Sequence, residues 1–305
     1  MELTDFLATA LRLSVPVAFA AIGGVISERA GVYHVALEGS MLAGCFGAAL
    51  GAFHGGPIAG LAGGMVAGAA IGALLTAMTV TLRLPQIVCG IAVNLLVLGL
   101  TAYLSRIAFG GQANTLQLPG LVDPWFPALA GLPLVGPAFF AQPPLVTALP
   151  LLAAAAWWWL HRSHMGLALR AVGESPRSVD ANGVDVQRLR WTAVVVASVC
   201  AALGGCFIVL CQVFLFSEHM TAGKGFIALA AVILGRWGVW SALLAALFFG
   251  GFDALQLKLQ FSRPDLPYQL FVALPYLAAL LALLGWMGRS RPPQAVGRPY
   301  RRATR

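Results

Sequence analysis

Apolar residues run along this chain in long blocks, broken by short stretches that are polar or carry glycine and proline. The blocks fall at 7–27, 36–53, 58–81, 85–104, 144–160, 191–216, 222–236, 238–258 and 268–288. Most approach the ~20 residues that a helix needs to cross ~30 Å of hydrocarbon. None alternates strictly between apolar and polar positions, as a barrel strand would. With no water to bond backbone groups in a bilayer, only helices or closed barrels can span it. The pattern therefore predicts an all-α, polytopic membrane protein of about nine transmembrane helices in a single domain, 1–305. Residues 3–13 also suit a helix lying along the surface, since Thr4, Asp5 and Arg12 interrupt the apolar run.

One polar island stands out. Between His161 and Arg190 lie Arg162, Arg170, Arg177 and Arg188, with Glu174, Asp180 and Asp185. Within Gly173-Glu174-Ser175-Pro176-Arg177, the Ser175-Pro176 pair opens a short helix and Gly183 closes it. Serine caps free N–H groups, proline fits the first helical position, and glycine accepts a left-handed exit. Val179 and Ala181 offer a small apolar surface between the charges, Asp180 among them. Such a helix is too short to be stable alone and needs a docking partner. Two readings stay open: an ordinary loop, or a platform on which a motor protein docks.

Charge sets the orientation. Basic residues concentrate on the cytoplasmic side of membrane proteins. The island 161–190 is one cluster; the tail 289–305, with Arg289, Arg291, Arg298, Arg301, Arg302 and Arg305, is the other. An even number of predicted spans separates them, so both can face the cytoplasm. The connection 105–143 has Arg106 as its one basic residue and faces outside, which places Arg29 and Arg83 inside and the N-terminus outside. The net charge of +8 is read through this topology, its basic residues sitting in loops and a short tail, and gives no nucleic-acid signal. Glu2 and Asp5, with no basic region ahead of them, predict a retained first span. Only 10% of residues are charged, 59% are hydrophobic, and mean hydropathy is +0.84; a soluble domain carries about a quarter charged residues.

Shifted by about 182 positions, the chain overlays itself: Leu84-Pro85-Gln86 falls on Leu266-Pro267-Tyr268, and the spans between 36 and 104 fall on those between 222 and 288. The shift passes an odd number of spans, which predicts an inverted repeat of four, one and four. The first repeat covers 7–104, the linking span 144–160 and the second repeat 191–288. Inverted repeats place a transport pathway at their interface.

Ionisable or amide side chains within spans are costly and mark pathways or structural contacts. Candidates for the pathway are Glu38, flanked by Gly31 and Gly39, with His34 just before it, Asn94 and Asp253. Glu38 equally suits a structural pair with Arg29 or a helix end. Asn94 also suits an interhelical hydrogen bond, and Asp253 a structural contact. Cys45, Cys89, Cys200, Cys206 and Cys211 lie in apolar spans without a CxxC pair and read as packing residues. Trp157-Trp158-Trp159 reads as an interfacial belt. No phosphate loop, HExxH or GxSxG occurs. The chain has no catalytic constellation or predicted metal site, so energy for active transport must come from another subunit.

Several segments in order carry a family resemblance. These are Ser27-Glu28-Arg29-Ala30-Gly31-Val32 with Leu37-Glu38-Gly39, then Gln86 through Asn94, Gly166 through Val186, Ala222 through Trp237 with Ala245 through Gly250, and Gly297-Arg298-Pro299-Tyr300. Together they resemble the permease subunits of ABC importers for simple sugars and nucleosides, especially the shorter permease of basic-membrane-protein-type systems. The chain departs from that pattern at His34, where the family usually has asparagine, and at Ser175, where Asn-Pro is usual. The resemblance implies a bacterial plasma (inner) membrane permease that binds no cofactor itself, with ATP and Mg on a partner ATPase. It also implies a second, paralogous permease and an external substrate-binding lipoprotein, all among membrane lipids. The implied cargo is a nucleoside, with a purine favoured and a sugar such as ribose next. An ion-coupled carrier is the competing class. The resemblance assigns ATPase coupling to Gly173, Glu174, Ser175, Pro176, Arg177, Val179, Asp180, Ala181 and Gly183.

Overall fold

A computed structural model of the chain describes residues 3–110, 116–131, 136–262, 268–286 and 292–301. Arg289, Arg291, Arg302, Arg305 and the Leu266-Pro267 half of the repeat alignment lie outside them. Among the described residues ten α-helices follow one another, and six of them are long and apolar enough to cross a membrane. The first, α1, runs unbroken from Leu3 to Arg29 through Pro16. Residues 3–13 therefore continue the first helix and do not turn off as a separate surface helix.

The second helix, α2 (Leu37–Thr76), leaves helical geometry at Gly56, where φ is 80° and ψ −177°. That left-handed φ suits glycine. The two limbs pack against each other through small residues. A side chain at Gly47 would lie 2.5 Å from the carbonyl of Gly63, and one at Gly63 would lie 2.5 Å from that of Gly47. Small residues give close backbone approach in membranes, where lipid removes the hydrophobic drive between helices. A π-turn at Ala77–Thr81 ends the second limb.

After α3 (Gln86–Phe109), the described parts of the long connection fold back onto the chain. Leu118 N donates to Phe214 O at 2.8 Å and Leu121 N to Leu210 O at 2.7 Å. Next come α4 (Pro144–Arg162), the short α5 (His164–Glu174) and α6 (Pro176–Ala181), and α7 (Val186–Phe207), which continues as a π-turn to Val213. Helices α8 (Lys224–Leu234), α9 (Val239–Ser262) and α10 (Tyr268–Trp286) complete the described fold.

Helix α8 corrects the expected span at 222–236. Its 11 residues rise about 17 Å, roughly half the hydrocarbon thickness. The flanking residues are turns. Ala222 and Gly223 before the helix, and Arg236 and Trp237 after it, all have positive φ. L-residues adopt that region rarely and continue no helix there.

The centre of the molecule is α1, α2 and α7 packed together, with α9 against α1 and α8 wedged against α1 and α9. Phe19, Ile22, Met41, Phe207 and Leu210 are fully enclosed there. One face of α3, with Ile87, Val88, Ile91 and Leu95, stays exposed, as a lipid- or partner-facing helix would. The five cysteines are all buried and free.

Candidate functional site

The non-helical stretch 30–36 between α1 and α2 places Glu38 in the first turn of α2. Its carboxylate reaches α8. Thr221 Oγ1 donates to Oε1 at 2.6 Å, Gly223 N to Oε1 at 2.9 Å, and Gly225 N to Oε2 at 2.7 Å. Two of these donors are backbone groups at the start of a helix, where unpaired N–H groups and the helix dipole both attract an anion. Of the partners open in the sequence, it is the helix end that Glu38 takes, and not Arg29. Arg29 instead donates from Nε to Trp237 O at 2.8 Å. Gly225 makes the approach feasible, because an added Cβ would strike the Glu38 backbone nitrogen.

Asn94 stands beside this clip. Its Oδ1 accepts from Gly39 N at 2.7 Å and its Nδ2 donates to Val35 O at 3.0 Å. The side chain thus fixes the beginning of α2, as an interhelical bond would. Glu38 and Asn94 together line a cavity of about 350 Å³ with His219, Thr221, Phe226 and the leucines 42, 95 and 98. That is near the lower end of small-molecule sites. His219 and Phe226 are both exposed, and Phe226 presents an aromatic face.

The other two pathway candidates lie elsewhere. His34 is fully buried, with Nε2 2.8 Å from Ser198 Oγ on α7, and does not line this cavity. Asp253 is half-buried in a separate cavity of about 220 Å³ that Lys224, Gln256 and Pro275 share; Ala222 borders both cavities.

Sequence reasoning gave Glu28 no role of its own. It is completely buried, and its Oε2 accepts from Trp237 Nε1 at 2.5 Å. Glu28 Oε1 is buried with no hydrogen-bond partner among the described residues. Trp237 lies just beyond α8. The α1–α2 elbow therefore grips α8 at both ends, Glu28 and Arg29 at one and Glu38 at the other. The sequence signal was the two acids on either side of a glycine break, but nothing in it named the distant partner.

On the polar island, Ser163 caps α5, its Oγ accepting from Gly166 N at 2.9 Å. Gly183 has φ 83° and closes α6 as expected. Ser175 does not cap α6: its hydroxyl instead lies 2.7 Å from that of Ser178. Val179 is not an open apolar surface. It is half-buried against Val172, Val186 and Leu189, under Tyr300. Glu174, Ser175, Arg177, Ala181 and Gly183 are exposed, and Pro176 is half-buried. Gly173 is buried where a side chain would meet the Arg29 carbonyl. Asp180 Oδ2 accepts from Tyr300 Oη at 2.9 Å.

A bundle of long apolar helices, a half-length helix that starts beside a cavity, and a short helical platform between spans describe a polytopic membrane protein of the kind that carries solutes. The chain belongs to the family described as branched-chain amino acid transport system / permease component, whose model matches residues 6–283. It is an ABC-transporter permease component related to nucleoside and sugar ABC permeases. It is 34% identical over 302 residues to the guanosine ABC transporter permease protein NupQ of Bacillus subtilis, covering 93% of this chain and 92% of that protein. It is 33% identical over 307 residues to the nucleoside ABC transporter permease protein NupC of Lactococcus lactis, covering 96% and 95%. It is also 34% identical over 248 residues to the "Putative glucose ABC transporter permease protein TsgC13" of Haloferax volcanii, covering 79% and 73%. No solved structure matches the chain significantly.

Proposed function

We propose that this permease forms half of the translocation path of an ATP-driven nucleoside importer, with a purine nucleoside as the preferred cargo. One observation carries the substrate reading. The cavity beside Glu38 has leucine walls and an exposed aromatic ring, Phe226, with His219 at its edge. A planar base stacks on an aromatic face, whereas a sugar asks for a ring of hydrogen-bonding groups. Two relatives aligned over nearly their whole length are named for guanosine and for nucleosides. The relative named for glucose aligns over less of the chain and supports a simple sugar as the second reading. An ion-coupled carrier is disfavoured by the geometry at Glu38, whose two oxygens are already taken up by three donors.

In this reading the cavity is completed by a second permease across the exposed face of α3. An external binding lipoprotein delivers the cargo, and a separate ATPase, with its ATP and Mg, docks on α5 and α6. Nine passages of the chain arise if both limbs of α2 cross and the half-length α8 crosses together with the buried turns that flank it at Thr221 and Trp237. The inverted repeat then pairs the α2 limbs and α3 with α8, α9 and α10. The glycine turn at Gly56 and the turn at Gly235–Gly238 occupy equivalent places. The C-terminus is cytoplasmic, the N-terminus is outside, and the protein resides in the inner membrane. Movement of α8 against α2, across the Glu38 clip, opens the path.

The decisive experiment reconstitutes the four-component complex in proteoliposomes and compares ATP-dependent uptake of guanosine, adenosine and ribose. Guanosine uptake that Phe226→Ala reduces about tenfold, with ribose not transported, is the expected outcome. Ribose uptake without nucleoside uptake sinks the cargo assignment.

A further inference from the structure

The stretch 292–301 does not trail away from the membrane domain. Ala295 N donates to Gly173 O, at the end of α5, at 2.9 Å. Tyr300 Oη donates to Asp180 on α6 at 2.9 Å, and its ring packs with Val179 against Val172, Val186 and Leu189. Arg190 ties the strap to the rest of the molecule. Its Nε donates to Ala30 O at 3.2 Å, just past α1, and its Nη1 to Arg298 O at 3.3 Å. Pro293 and Ala295 are buried.

These bonds answer a question that α6 raises. Six residues without a side-chain cap do not hold a helix in water. Here the chain's own tail and the small cluster under Tyr300 hold it. The strap also shapes what a partner would meet. A cleft of about 340 Å³ lies between α6 and the tail. Ser175 and Arg177 border it on one side, Arg298, Pro299 and Tyr300 on the other, with Glu174 at its edge. Arg177 and Arg298 are both exposed there. Of the nearby acids, Glu174 lines that edge and is exposed, Asp180 is bonded to Tyr300, and Asp185 is paired with Arg188 at 3.1 Å.

We propose that the C-terminal strap is half of the ATPase seat, and that the ATPase places an acidic side chain in this cleft between Arg177 and Arg298. This rests on the importer reading above. Arginine suits the task because its planar fork takes a carboxylate with two parallel bonds. A motor seated this way bears on the island and on the tail at once. Through Arg190 and Gly173, the strap passes its motion to the end of α1, where the elbow gripping α8 begins.

The test uses the purified complex of both permeases and the ATPase. Three forms of this chain are compared: the full-length protein, Arg298→Glu, and a chain ending at Ser290. Retained ATPase per permease and cargo-stimulated ATP hydrolysis are measured, with binding to phosphatidylglycerol vesicles as a control. We expect Arg298→Glu to weaken ATPase retention about tenfold, as loss of a charge-assisted pair does, and the truncation to abolish it. Both variants should still dock the loaded binding protein on the other face. If the truncated chain fails to insert, the exposed Arg298→Glu change decides alone. Parental retention and hydrolysis in Arg298→Glu overturn the proposal, as does an effect confined to vesicle binding, which would assign the arginines to lipid. Failure of the full-length chain to hold any ATPase removes the importer reading itself, a separate result.

Discussion

Glu28 and Glu38 sit on either side of one break in the chain and grip opposite ends of the same short helix, yet they are different devices. Glu38 meets three donors, two of them at the start of α8, and is half-buried beside a cavity. Glu28 is sealed inside the protein, meets the single indole N–H of Trp237, and keeps one oxygen unpartnered among the described residues. A carboxylate with a full set of charge-assisted bonds holds its position firmly. A buried one with half a set sits at a cost. Donor number, more than the acid itself, separates a latch whose loss is felt from a contact that a neutral group can replace.

The sharpest way to break this comparison is Glu38→Ala. Three donors lose their acceptor, a loss of about 2 kcal/mol or more, and uptake should fall at least about thirtyfold. The amount of protein in the membrane should stay near parental, because α1, α2 and α7 do not depend on the clip. Parental uptake by a well-inserted variant removes Glu38 from the site. Next in size is Gly225→Ala, which drives a methyl into the Glu38 backbone. We expect about a tenfold loss of uptake, read in the same vesicles. Thr221→Val removes one donor and leaves the helix amides in place. Its cost is about 1 kcal/mol, or roughly a fivefold slower uptake. Smallest is Glu28→Gln, whose amide oxygen still accepts from Trp237. Uptake should stay within about twofold, and the thermal midpoint should hold or rise, since a neutral amide is buried more cheaply than a carboxylate. A tenfold loss there would make the two acids equivalent.

Much of the architecture was legible in the chain. The long apolar blocks mark the crossing helices, because a span of hydrocarbon sets their length directly. The exit of α6 at Gly183 was legible for a local reason, the left-handed turn. What failed was everything that depended on distant partners or on which way a face points. Residues 225–234 form an apolar run closed by Lys224 and Arg236, and composition could not show that Ala222, Arg236 and Trp237 lie in turns and that only 11 residues are helical. Val179 between charges looked like an outward patch, but its neighbours Val172, Val186 and Leu189 come from other helices. Ser175 had the right identity and position for a cap, and a nearer hydroxyl on Ser178 took its bond. The Glu28–Trp237 contact joins residues 209 positions apart, a separation over which no periodicity carries information.

The close seams of the central bundle have a mechanical consequence. A side chain at Gly205 would meet the Met41 carbonyl, one at Gly44 the Ala202 backbone, and one at Gly23 the Ala197 carbonyl. Backbone rests on backbone there, without long side chains that could bend between them. Close-packed interiors resist compression, and a seam of backbone on backbone leaves the slab of α1, α2 and α7 little room for its helices to move toward one another. Helix α8, pinned at its two ends, is the strut set across that slab. In the proposed importer, a push on the island 161–190 would reach that strut through the slab, in the way a rigid crank loses little travel to flexing.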